Sequence, residues 1–188
     1  MQRFLPILLA SLLLILFRAV GSAFPEWLPN FQPLAALFFC GVWMAPGIRG
    51  FLWPMALWML TFPLGVGHPP GAGLWLTTLL AFAASFSLGW WMKSVGAGAT
   101  LLGSAASAVL FHGITSVAAW IADPMYVKSL TGLVQSIWSG PPGGVLPSWV
   151  FLRNLVAAHV VFTGLFLLAR HGFPRIFAPR RTDCAAAS

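Results

Sequence analysis

The sequence is poor in acid. Only three Asp and Glu residues occur in 188, one of them in the carboxyl-terminal tail, so a paired-carboxylate mechanism would have to use Glu26 and Asp123 alone. Charged residues of both signs make up 7% of the chain, too few to cover a soluble globule of this length. Cysteine is equally scarce. Cys40 falls in an apolar run and Cys184 in the polar tail, two depths that argue against a disulfide, and neither has His or Cys neighbours at metal-ligand spacing. No serine stands in a nucleophile elbow, and Gly96 to Gly103 lacks the strand and ligands of a phosphate-cradling loop. His112 and His159 give no independent sign of haem ligation. These absences predict no catalytic site, no metal and no cofactor.

What the chain has instead is apolar length. Hydrophobic residues make up 59% of it, and a bilayer core about 30 Å thick needs roughly 20 of them per spanning helix. Apolar runs between polar or Pro/Gly breaks are expected near Leu5 to Gly21, Phe31 to Ala45, Phe51 to Val66, Ala72 to Met92, Ala97 to Ala122 and Ser148 to Ala169. The second run, bounded by Pro33 and Pro46, is short for a full crossing. The first has features of a secretory signal, with Arg3 before it and Val20-Gly21-Ser22-Ala23 after it, but its length and Arg18 favour a retained helix whose arginine snorkels to the interface. The expected fold is all-α: an integral membrane bundle of about six transmembrane helices over residues 1–174, followed by a basic, disordered cytoplasmic tail over 175–188.

A formal net charge of +7 raises the question of nucleic acid, but the Lys and Arg residues are scattered singly at span ends until Arg175, Arg180 and Arg181, which is a membrane-topology pattern. Six spans place Arg3, Arg49, Lys93, Arg170 and those three on one side, against Arg18, Lys128 and Arg153 on the other. The positive-inside rule makes the first side cytoplasmic, so both termini are expected in the cytoplasm, with Glu26 and Asp123 outside.

Ala81, Ser85 and Gly89 recur every four residues in the fourth run, and Ala99, Gly103 and Ser107 do so in the fifth. Such faces permit close helix approach where lipid gives no hydrophobic drive for association, within the bundle or against partner subunits. Between Asp123 and Pro147, Leu130, Leu133, Val134 and Ile137 recur at helical spacing, so Ser129 to Ser139 is expected to form a short rim helix with Trp138 in the interface, as an anchor or as a lid. Trp27, Trp90, Trp91, Trp138 and Trp149 fall near span ends, as an aromatic belt requires.

Functional candidates are the polar groups that hydrocarbon makes costly. His112, Thr115, Ser116, Ala119 and Asp123 form one stripe rising from mid-membrane to the outer rim, flanked by Trp120. In the last run Arg153 and Asn154 lie near the outer end and His159 near the middle; Asn154 and His159 are about 140° apart around the helix and cannot aim at one point. Each His reads equally as a structural imidazole bonded to a neighbouring helix. The functional expectation is an outward-opening pocket for a small polar ligand, lined by His112, Thr115, Ser116, Trp120, Asp123, Asn154 and His159, with Asn30, Tyr126 and Lys128 in the loops that gate it. The rival is a structural or assembly subunit of a larger membrane complex.

The stretch Leu28-Pro29-Asn30-Phe31-Gln32-Pro33-Leu34-Ala35-Ala36-Leu37, followed by Phe38-Phe39-Cys40-Gly41, resembles the opening of a family of uncharacterised bacterial six-helix membrane proteins. It is also similar to the Pro-Asn-x-x-Pro segment of substrate-binding (S) components of energy-coupling-factor vitamin transporters. Two further blocks carry the first resemblance, Met125 to Leu133 and Arg153-Asn154. The resemblance implies an S-component-like bundle with its ligand site near the outer face.

Overall fold

A computed structural model describes residues 5–23, 28–66 and 71–176 of the chain. Seven helices and no strands occur among them: α1 (Leu5–Ala23), α2 (Leu34–Met44), α3 (Arg49–Val66), α4 (Ala72–Trp91), α5 (Ala97–Ala122), α6 (Leu130–Trp138) and α7 (Ser148–Ile176). The count exceeds the expected six because the short rim helix, α6, is formed. Arg3, Glu26, Trp27, Cys184, Arg180 and Arg181 lie outside the described residues, as does the tail beyond Ile176.

Three of the described helices are long and apolar enough to cross a membrane: Ala72–Trp91, Ala97–Ala122 and Ser148–Arg170. α2 is not. It begins at Leu34 rather than Phe31, and its 11 residues reach about 16 Å at 1.5 Å per residue, roughly half of a bilayer core. Its role is different: every residue from Leu34 to Gly41 is buried, and α1, α3, α4, α5 and α7 all pack on it. A helix apolar on all sides is what a central position requires.

Glycine sets how closely the neighbours approach that centre. A Cβ on Gly89 of α4 would collide with the Phe39 carbonyl of α2, and Cβ atoms on Gly41 and Gly50 would each collide with the other's carbonyl, so α2 and α3 meet backbone to backbone. The turn between them relies on Gly47, whose φ of +61° is open to glycine at little cost. The face of Ala81, Ser85 and Gly89 is thus used within the bundle. On α5 the face is shifted from the expected one: Gly103 and Ser107 are buried with Thr100, Ser104 and Ala108, but Ala99 is exposed.

Around α2 the core is aromatic. Phe38 stacks on Phe82 with centroids 4.0 Å apart, and Phe51, Trp58 and Phe111 extend the group through Phe38 and Phe82. A second cluster joins Ala36, Ala158 and Phe162 to Phe17 and Phe31. Trp90, Trp91, Trp138 and Trp149 are exposed near helix ends, as an interfacial belt would have them. Arg18 departs from expectation. Rather than snorkelling outward it is buried, with Nε donating to the Thr61 carbonyl of α3 at 3.1 Å.

Hydrogen bonds across the bundle fix its sense. Trp43 Nε1 at the end of α2 donates to the Lys93 carbonyl just before α5, and Asn154 Nδ2 near the start of α7 donates to the Pro29 carbonyl just before α2. α2 and α7 therefore run in the same direction and α5 runs against both. The bundle has an α6 end, with Pro29, Lys128 and Arg153, and a Lys93 end, with Arg49.

Candidate functional site

The polar stripe of α5 climbs toward the α6 end, and α6 lies across it. Ser129 starts α6 as its N-cap, its side chain accepting from the Gly132 amide at 3.2 Å. Gly140, with φ +80°, stops it by returning its N–H to the Gln135 carbonyl at 2.8 Å. Gly132 and Ser136 form the buried face, and a Cβ at Gly132 would collide with the Val127 carbonyl. Leu130, Val134 and Trp138 point away from the bundle.

Two hydrogen bonds fasten α6 to α5. His112 Nε2 is 3.0 Å from the Ile137 carbonyl, so that nitrogen carries a hydrogen, and Ser116 Oγ lies 3.4 Å from the same nitrogen. Ser136 Oγ is 3.1 Å from the Ser116 carbonyl. His112 and Ser116 are both buried. Thr115 is half-buried and returns its hydroxyl to the Phe111 and His112 carbonyls of its own helix.

The stripe's upper end is closed by the loop that leaves it. Asp123 caps α5, and its carboxylate accepts from the Met125 amide at 2.8 Å. Lys128 Nζ folds back on the Trp120 carbonyl and on the Asp123 carbonyl at 2.7 Å. A cation there satisfies the orphan carbonyls of a helix C-terminus and complements its dipole. Trp120 Nε1 in turn donates to the Val127 carbonyl at 3.0 Å. Tyr126 is buried in the same loop, where desolvation and then the Asp123 carboxylate raise its phenol above the ordinary tyrosine range.

On α7, Asn154 is tied on both sides: Nδ2 to Pro29, as above, and Oδ1 to Arg153 Nε at 3.2 Å. The exposed Arg153 guanidinium lies 5.4 Å from the Trp149 ring centroid. The Pro29 turn places Asn30 at φ +61°, a left-handed conformation that Asn tolerates better than other side chains with a Cβ.

The structure thus bonds His112 and Ser116 to α6, gathers Trp120, Asp123 and Lys128 in a second group with the 123–128 loop, and joins Asn154 to the loop holding Asn30. His159 stands apart. It is completely buried, and its Nδ1 is 3.0 Å from the Leu155 carbonyl of its own helix. Nearby, Cys40 Sγ is 3.5 Å from Thr163 Oγ1, linking α2 to α7. Sequence reading missed Ser136 and the Pro29, Val127 and Ile137 carbonyls as partners, because backbone acceptors carry no residue-type signal. Lys128 was legible in another sense, as a cation just past a helix end. Among the described residues no three His, Cys, Asp or Glu side chains group as a metal site would need.

No curated protein and no solved structure matches the chain, so the likeness to S components of energy-coupling-factor transporters has no match beside it. Residues 1–175 match one family, and the chain belongs to it: a family of unknown function (DUF6580).

Proposed function

We propose that this chain is a non-catalytic integral membrane protein of a bacterial inner membrane that binds a small polar molecule at its α6 end, beneath α6. The observation that carries this reading is the way separate segments close over polar groups of the long helices. α6 bonds to His112 and Ser116, the 123–128 loop bonds to the end of α5, and the turn before α2 bonds to Asn154. A polar stripe in an apolar helix demands partners, and a lid that supplies them when closed can yield them to a ligand when open. Within this reading, a role as the substrate-binding subunit of an energy-coupling-factor-like transporter rests on the Pro-Asn-x-x-Pro segment alone.

One observation favours a second reading, a structural or assembly subunit of a larger membrane complex. His112, Ser116 and Asn154 each already bond within the chain, so the bundle needs no ligand to satisfy them. Native mass spectrometry of the protein released from detergent separates the two. A discrete small-molecule adduct is expected, and Ser116→Leu and Asn154→Leu should each weaken its retention by about 1–3 kcal/mol, the usual cost of leaving a buried polar partner unsatisfied. Co-purifying polypeptides with no adduct would replace the binding reading with the structural one.

A further inference from the structure

α5 climbs toward the α6 end, and α6 runs back down beside it. Trp120 Nε1 donates to the Val127 carbonyl just before α6 begins, Ser136 Oγ reaches the Ser116 carbonyl, and the Ile137 carbonyl meets His112. The partners on α5 thus fall from Trp120 to Ser116 to His112 as α6 advances. His112 lies ten residues before Ala122, the last residue of α5, a descent of about 15 Å at 1.5 Å per residue. A bilayer core needs roughly 20 helical residues, and on α5 that length counted from Ala97 ends near Ser116. His112, and the Ile137 carbonyl bonded to it, lie one turn inside that limit.

The end of α6 has the internal partners that such a depth requires. The Gln135 carbonyl accepts from the Ser139 amide at 2.9 Å and from the Gly140 amide at 2.8 Å, and the Gln135 side chain donates to the Gly140 carbonyl at 3.3 Å. His112 meets the Ile137 carbonyl at 3.0 Å. In water, helix-end carbonyls are hydrated without help; in hydrocarbon they must find partners within the protein. His112 is in this arrangement a support for α6.

The outer face of α6 points the same way. Leu130, Val134 and Trp138 recur every fourth residue along one side and are 80%, 63% and 59% exposed. From Ser129 to Leu152 no residue is charged, and the run is bounded by Lys128 and Arg153. At the same level α5 exposes Val117 and Ile121, so surroundings that suit α5 there suit α6 too.

We propose that α6 is a re-entrant segment, and that its stripe of Leu130, Val134 and Trp138 is an interaction surface for the lipid acyl chains of the leaflet at the α6 end. Water would leave three large apolar side chains wet, and a run without charge gives a protein partner little of the polar rim that interfaces carry. Acyl chains ask for neither. Such a surface presupposes that α5 spans a membrane, but not that anything binds beneath α6.

The test is spin-label accessibility in the full-length protein, carried in nanodiscs of phosphatidylcholine and phosphatidylglycerol. Cys184→Ser leaves Cys40, which is buried and escapes the label. Leu130→Cys, Val134→Cys and Trp138→Cys then report on α6 one at a time, with Val109→Cys near the middle of α5 as the reference for lipid and Ser94→Cys in the exposed α4–α5 turn as the reference for water. These side chains point outward, so labelling leaves the bonds of α6 through Ser136 and Ile137 in place. The expected result is a ratio of oxygen to nickel-chelate collisions at Val134 and Trp138 several-fold above that at Ser94 and approaching that at Val109, with Leu130 lower than both. Val134 and Trp138 matching Ser94 while Val109 reads as lipid would overturn the proposal. So would protection of both labels from either reagent, which would put a protein partner on the stripe. A water-like Val109 would instead refute the membrane reading, and the proposal with it.

Discussion

At the scale of single residues, the determinants of this bundle are side chains that are small or absent. Gly89 lets α4 touch the backbone of α2 at Phe39, whereas Gly113 of α5 faces open space. The contrast makes a paired prediction. Gly89→Val must push α4 off the central helix and should destabilise the fold by about 1–3 kcal/mol or more, the range for overpacking a close contact. Gly113→Ala should be neutral or stabilise by a few tenths to about 1 kcal/mol, since it removes glycine's entropic cost in a helix at no steric expense. Thermal aggregation of detergent-solubilised variants would rank them. Equal loss for both substitutions would mean that the α2–α4 contact does not limit stability. Sequence identified Gly89 through its four-residue spacing with Ala81 and Ser85. The same spacing misplaced the α5 face at Ala99, because periodicity gives a stripe's direction and not where along it a neighbour ends. Arg18 shows a related limit: a lone arginine near a helix end reads as snorkelling outward, and only the packing of α1 on α3 reveals the Thr61 carbonyl that turns it inward.

At the scale of elements, the span of α5 from Ala97 to Ala122 could be read directly from its bounds in polar and glycine residues, and α6 from its helical spacing. The central position of α2 could not. Uniform hydrophobicity is demanded equally by lipid on all sides and by protein on all sides, so the sequence of α2 fits either environment and only its shortness hints at the second. The orientation of α6 was equally hidden, since its apolar residues Leu130, Val134 and Trp138 turn outward while Gly132 and Ser136 make the close contact. That arrangement suits an amphipathic segment lying in a membrane interface. It also predicts how α6 is held. Gly132→Val should collide with the Val127 carbonyl, and His112→Phe should strand the Ile137 carbonyl, costing about 1–3 kcal/mol for a polar group left without its partner. In both variants the amides from Leu133 to Trp138 should exchange with deuterium several-fold faster while those of α4 stay unchanged. Unaltered exchange in α6 would show that its attachment rests on something other than these two contacts, and would remove the lid from the binding proposal.

For the whole molecule, the proposed placement in a membrane is tested by which basic residues each end of the bundle gathers. Trp43 bonded to the Lys93 carbonyl gathers the end of α2, the turn holding Arg49 and the α4–α5 turn at one end. α7 starts at the opposite end, beside Pro29, so Arg170 near its far terminus joins Arg49 and Lys93, while Lys128 and Arg153 stay with α6. The short reach of α2 does not upset this parity. The Leu28 to Pro33 segment brings the chain to the α6 end, α2 carries it toward the other, and α3 starts there. Orientation follows basic residues near the ends of spans, and the Lys93 end holds Arg49, Lys93 and Arg170 with the tail arginines following in sequence. We therefore predict that reporters fused after Lys93 and after Arg181 both behave as cytoplasmic, and that one inserted near Gly140 behaves as external. Cleavage of the first helix would leave these outcomes unchanged, because the tail's side is fixed by the helices that remain. An external signal from the Arg181 fusion, with the Lys93 fusion cytoplasmic, would place the ends of α7 wrongly with respect to α5 and would sink the antiparallel crossing on which the α6-end site depends.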